Sequence, residues 1–167
     1  MWNSIAEHFK DYPERLAVAR VLVENGLAVR DRKILCNEIE VPVMKVARVA
    51  GVDRRTVMET LQMISNNKEL GELFQHIRSA GLSLREIARH LGLGVVEITP
   101  DDPKTVGILA SSASVIAEAG ISIRQALVDD PELNPEPRLT LITEGNIPGD
   151  VIAKILKVRG VKRVSVS

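Results

Sequence analysis

The residues best placed to do chemistry are cations set in a stretch whose apolar spacing is that of two helices meeting at a tight turn. Between Val43 and Ile64, Val46, Ala47 and Ala50 give a first helix an inward face, and Val57 and Leu61 return to one four residues apart. Gly51 stands where the chain must turn, and Val52 plugs the turn from the core side. Asp53 is placed to cap the second helix, because its carboxylate can accept from the free amides of a first turn. Ala47 suits a crossing point where only a small side chain fits, and Gly51 suits a backbone shape that glycine adopts cheaply. This is the spacing of a helix-turn-helix. Arg54, Arg55 and Thr56 then fall at the exposed start of the second helix, the part of such a motif that enters the major groove. Two cations beside helix-start amides suit phosphate, and an arginine can read a guanine edge with two hydrogen bonds. The candidate contacts to double-stranded DNA are Lys45, Arg48, Arg54, Arg55, Thr56, Glu59 and Gln62. Thr60 holds a position where the motif usually carries an aliphatic side chain, so the rotation of the second helix is open between Thr60 and Leu61. An ordinary pair of packed helices is the alternative reading.

A second candidate site lies in Pro100-Asp-Asp-Pro103, between a β-rich run, Val95 to Thr99, and a helical pattern from Thr105 to Ala119. The free amides of a helix start favour a carboxylate, and Gly107 lets a ligand approach the backbone closely. Asp101 or Asp102 can pair with a ligand ammonium. The alternative is that Asp102 only caps the helix, with Pro103 at its first position.

Composition bounds the rest. The chain has 167 residues, 45% of them apolar, enough for two small cores or one medium one. Its 22 basic and 22 acidic residues cancel. Through Gly92 there are 14 basic and 12 acidic residues, and from Leu93 onward 8 and 10, an asymmetry too small to argue a DNA-binding face alone. A single cysteine, Cys36, excludes an intrachain disulfide and a cysteine-rich metal site. His8, His76 and His90 lack ligand spacing. No Ser-His-Asp, Cys-His or metal constellation assembles and no phosphate loop is present, so a non-enzymatic protein without cofactors is expected. Aromatic residues are 2% of the chain, which argues against base-stacking platforms. No basic-then-apolar leader is seen, and no apolar run approaches the ~20 residues that span a bilayer. A cytoplasmic protein with no membrane partner is expected.

These sites need elements to hold them. Trp2, Ile5, Ala6 and Phe9 make one stripe of a short helix, which either packs on its own domain or meets a second subunit. Glu14 to Glu24 reads as a helix closed by Asn25-Gly26, and Lys33 to Val41 as short extended segments. Glu69 to Ser79 is helical. Ser83 to Glu86 has the form of a capping box opening a short helix with Ile87, Ala88 and Leu91 facing in. That segment resembles half of a second helix-turn-helix, with Arg85 and Arg89 in place to touch phosphates, but it reads mainly as scaffold. Beyond Gly94 the order is strand, helix, strand, strand, helix, strand. The strand Ile121 to Val128 sets Ile121, Ile123, Gln125 and Leu127 on one face. Right-handed crossovers put both helices on one face of a single sheet, the ferredoxin-like split arrangement. The expected architecture is α+β: a helical helix-turn-helix domain over 1–66, a helical connector over 67–93 and a βαββαβ domain over 94–167.

The C-terminal half resembles an ACT domain, a ligand-sensing module common in amino-acid metabolism. The run VVEITPDDPKTVGILASSASVIAEAGISI carries the likeness. Asp101 or Asp102 and Gly107 match the acidic residue and glycine of that family's first strand-to-helix loop, and Gly120-Ile-Ser-Ile123 matches its turn into the second strand. Ser122 stands where the family usually has Asn. With Gly51-Val-Asp-Arg-Arg55, the whole chain is similar to archaeal predicted regulators of amino-acid metabolism that join a helix-turn-helix to an ACT domain. The resemblance implies a ligand site at Asp101, Asp102, Thr105, Val106, Gly107, Ile108, Ser122 and Ile123. It implies a homodimeric transcription regulator controlled by a small metabolite, an amino acid by preference. The alternative is an effector-binding regulatory subunit that docks on a biosynthetic enzyme.

Overall fold

The computed structural model describes the chain from Met1 to Ser167. The fold is α+β, with eight helical segments and two antiparallel sheets, divided into Met1–Gly81 and Leu82–Ser167.

In the first unit, α1 (Trp2–His8) buries Trp2, Ile5 and the following Phe9, so the N-terminal stripe packs on its own unit. Next come α2 (Pro13–Glu24), β1 (Leu27–Arg30), β2 (Lys33–Cys36) and β3 (Ile39–Val41), and the three strands form a sheet in that order. The expected extended segments are β2 and β3. The unit is therefore not wholly helical. β1 is too short for alternation to disclose, and it exists because Leu27 to Arg30 pairs with Lys33 to Cys36. α3 (Val43–Ala50), α4 (Arg54–Asn66) and α5 (Lys68–His76) complete the unit.

The α3–α4 turn follows the sequence reading closely. Gly51 has φ 68°, in the left-handed region that glycine enters without a Cβ clash. The Val52 N–H donates to the Ala47 carbonyl and the Gly51 N–H to that of Arg48, the paired bonds that close a helix end. Val57, Thr60, Leu61 and Ile64 are all buried, which resolves the rotation of α4: Thr60 and Leu61 both face in. Burial costs Thr60 little, because its hydroxyl donates to the Thr56 carbonyl at 2.7 Å.

The second unit opens with a 3₁₀ segment, Arg85–Leu91, in place of the expected α-helix. Its tighter turns do not keep α-helical spacing, so only Ala88 is buried while Ile87 and Leu91 stay exposed. Ser83 accepts from the Arg85 N–H, two residues on, and no capping box forms. The stretch 67–93, read as one connector, is divided: α5 belongs to the first unit and the 3₁₀ segment to the second. β4 (Gly94–Pro100), α6 (Ile108–Glu118), β5 (Ile123–Val128), β6 (Leu139–Thr143), α7 (Gly149–Ile155) and β7 (Val161–Val166) follow, with sheet order β5-β6-β4-β7. Val96, Ile98, Leu139 and Leu141 of the central strands form one core with Ile108 and Ile116 of α6 and Val151 and Ile155 of α7. Ala88, Val95 and Ile142 pack together on the other side of the sheet.

β5 departs from simple alternation. A bulge between Ile123 and Gln125 sets Ile123 opposite Thr143 but Gln125 opposite Ile142. The extra residue shifts the strand by one, so Gln125 and Leu127 face away from Ile123 rather than with it. Gln125 uses that turn to accept from the Leu84 N–H and donate to the Leu82 carbonyl.

Leu61 is fully buried where α4 meets its unit, so Leu61→Ala should cost about 2–5 kcal/mol. Urea unfolding followed by Trp2, the chain's one tryptophan, reads this unit directly, and a smaller loss would contradict the packing described.

Candidate functional sites

The start of α4 is built by Asp53, whose Oδ1 accepts the Thr56 N–H at 2.7 Å. That bond holds the Asp53 carboxyl below its ordinary value. Beyond the cap, the expected DNA-contacting residues divide into two groups. Lys45, Arg48, Arg54 and Gln62 are exposed, and no carboxylate neutralises the three cations. Arg55 is also exposed, but its Nε meets Glu59 Oε1 at 2.8 Å. Glu59 and Thr56 do not present free groups. Glu59 Oε2 takes Arg15 Nη2 of α2 at 2.8 Å, and the Thr56 hydroxyl donates to Glu14 Oε2 at 3.3 Å. These two residues tie α4 back to α2.

Arg15 and Glu14 carried no sequence signal. They lie more than forty positions from their partners, and only the packing of α2 on α4 brings them together. Arg15 also lies 4.5 Å over the Tyr12 ring, which steadies the guanidinium. The Arg55 hydrogen bond, then that of Arg15, holds Glu59 below its ordinary carboxyl range.

The second candidate site is set by the end of β4 and the loop into α6. The Asp101 N–H donates to the Gly160 carbonyl, anchoring the loop beside β7. Asp102 does not cap α6. Its Oδ1 accepts from the Lys104 N–H at 2.9 Å in a local turn, and α6 begins three residues later than Thr105, at Ile108. Gly107, at φ 89°, fills the capping position, and no side chain there accepts from the first-turn amides.

A cleft of about 260 Å³ opens beside this helix start. Thr105, Gly107 and Ile108 line it, as expected. Asp101, Asp102 and Val106 lie outside it, and Val106 is 92% exposed. The walls that sequence reasoning missed are Leu109 of α6, Val128 and Asp129 after the bulge, and Arg138 and Leu139 of β6 and its approach. Ser122 and Ile123 do not join this cleft. Ile123 and Gly94 both stand opposite Thr143, whereas Val128 and Ile98 both stand opposite Leu139. The start of β5 is thus at the far end of the sheet from the loop, about 15 Å away at strand spacing.

No group of three or more His, Cys, Asp or Glu side chains comes together in metal-holding geometry, and no helix is long and apolar enough to cross a membrane. Arg85, expected as scaffold with an option on phosphate, is held to the sheet by Glu97 at 2.6 Å. No protein-family model matches the chain, and no curated protein matches it in sequence.

Asp53 and Glu59 are both more acidic folded than unfolded. Each contributes stability in full above its ordinary value, 3.8 and 4.5 respectively, and loses it as pH falls through the lowered one. The urea midpoint reported by Trp2 should decline on acidification below 4.5, and Asp53→Asn combined with Glu59→Gln should flatten that decline. An equally steep decline in the double variant would show that neither carboxylate contributes.

Proposed function

We propose that this protein is a DNA-binding regulator in which α3 and α4 act as a helix-turn-helix and the second unit senses a small metabolite. The observation that carries the reading is the distribution of uncompensated charge. Most cations of Met1–Gly81 meet a carboxylate: Lys33 meets Glu40, Arg30 and Arg78 meet Glu38, and Arg15 and Arg55 meet Glu59. Five meet none, Arg32, Lys45, Arg48, Arg54 and Lys68, and three of these, Lys45, Arg48 and Arg54, sit on the exposed side of α3 and at the start of α4. A polyanion is attracted to charge that the protein leaves unpaired. In this reading Arg54 and Arg55 approach the duplex with the helix start, and Glu59 orients Arg55 instead of touching a base.

The order strand, helix, strand, strand, helix, strand, with both helices on one face, supports a ferredoxin-like, ACT-type sensing domain. The cleft at its loop joins apolar walls to the uncapped amides of α6. An amino acid with a small apolar side chain fits that chemistry, its carboxylate at the helix start and its side chain against Leu109 and Val128.

β5 is an edge strand, and Val128 on it is 67% exposed. We propose a homodimer in which two β5 edges pair antiparallel about a two-fold axis. That pairing sets Ser122 and Ile123 of one subunit beside the loop end of the other, so the two parts of the expected site meet only between copies. A two-fold dimer reads half-sites about 34 Å apart, and a ligand bound at the subunit junction shifts DNA affinity by its preference between subunit geometries.

Replacing both Arg54 and Arg55 with Ala should weaken duplex binding and lower its salt slope by up to ~2, one contact per arginine. Fluorescence anisotropy against salt measures this, and an unchanged slope in a folded double variant would remove them from the interface.

A further inference from the structure

The strand β1 that the sequence did not disclose creates a hairpin with an arginine at its tip. Asp31 and Arg32 join β1 to β2, and both have left-handed backbone, φ 50° and 59°. This is the two-residue turn that suits the twist of a hairpin. The flanking cations are occupied: Arg30 donates to the Gln75 carbonyl and pairs with Glu38, and Lys33 pairs with Glu40 at 2.9 Å. Arg32 is exposed, and no acidic group takes it. The tip is thus pinned at its base and presents the Arg32 guanidinium, contacted by no carboxylate, beside the exposed side chain of Asp31.

Register locates it. Ile34, two residues past Arg32, stands opposite Val41, and Val41 leads through Pro42 directly into α3. The hairpin tip therefore lies beside the start of α3, where Lys45 occupies the first turn without an ion-pair partner. α3 is 8 residues long, so the start of α4 is only about 12 Å further along. Arg32, Lys45, Arg48 and Arg54 form a run of free charge from the hairpin through α3 to α4. The other cation of this unit that meets no carboxylate, Lys68, lies at the start of α5, beyond the 13 residues of α4 and so about 20 Å from the start of that helix.

We infer that the β1–β2 hairpin is a second DNA contact, in which Arg32 grips the phosphate backbone flanking the groove that α4 enters. The inference rests on the DNA reading above and extends it to an element outside the two helices. The left-handed backbone at Arg32 makes the test clean, because Arg32→Gly keeps the turn, and Arg32→Asn is a second substitution that tolerates it.

The full chain is titrated into a mixed-sequence duplex over a range of salt. Arg32→Gly and Arg32→Asn should each lower the salt slope by about 0.9 and weaken binding about five- to tenfold at 0.1 M salt. Arg32→Lys should retain the slope, and Lys68→Ala should leave it unchanged, which separates a contact from a loss of net charge. If the wild type binds and both neutral variants keep its slope, the hairpin contact is overturned while the DNA reading stands. If the wild type does not bind the duplex at low salt, both fall.

Discussion

The turn at Gly51 is the constraint on which the N-terminal surface depends. The left-handed residue lets the Val52 and Gly51 amides return to the carbonyls of Ala47 and Arg48, so α3 ends with its last groups satisfied and α4 starts almost at once. Because the link is so short, the exposed side of α3 and the start of α4 cannot move independently. Val46 and Ala47 fix one helix in the core, and Val57, Thr60, Leu61 and Ile64 fix the other. Lys45, Arg48 and Arg54 are positioned by that packing without making any ion pair themselves.

Charge on this unit is arranged by subtraction. The chain carries no net charge, and composition gives no hint of a cationic face. Folding then pairs carboxylates with most of the cations and leaves the others bare. Glu59 illustrates the two levels. At the sequence level it is an exposed-looking member of a helix start; in the fold it bridges Arg15 of α2 and Arg55 of α4. The pair is solvent-screened, so its worth lies in orienting Arg55 more than in stability.

Much of this was legible in the chain. The two-helix turn, the Asp53 cap and the order of elements beyond Gly94 all follow from spacing that a single strand or helix must obey. What escaped is decided by which partner a segment finds, and its own spacing does not announce that partner. β1 exists through pairing with β2, and the bulge in β5 is a property of its ladder with β6. The ties from Glu14 and Arg15 to α4 need the helices already packed. The loop after β4 shows a different limit, a choice between two local arrangements. Asp102 and Pro103 have the composition of a helix cap, yet the local turn at Lys104 takes the carboxylate and α6 waits for Gly107. Ser122 and Gly107 look like neighbours in a motif, but the register sets them at opposite ends of one sheet.

The central claim is that two chemically different surfaces serve two ligands, a duplex at α3–α4 and a small amino acid at the start of α6. At 18.3 kDa the full chain suits amide chemical-shift mapping by NMR, which reads both surfaces in one sample. Added duplex should shift the amides of Lys45 and of Val52 to Val57, and added amino acids with small apolar side chains should shift those of Gly107 to Ala110. Unmoved amides at the start of α4 under saturating duplex, or shifts confined to residues outside both surfaces, would contradict the account.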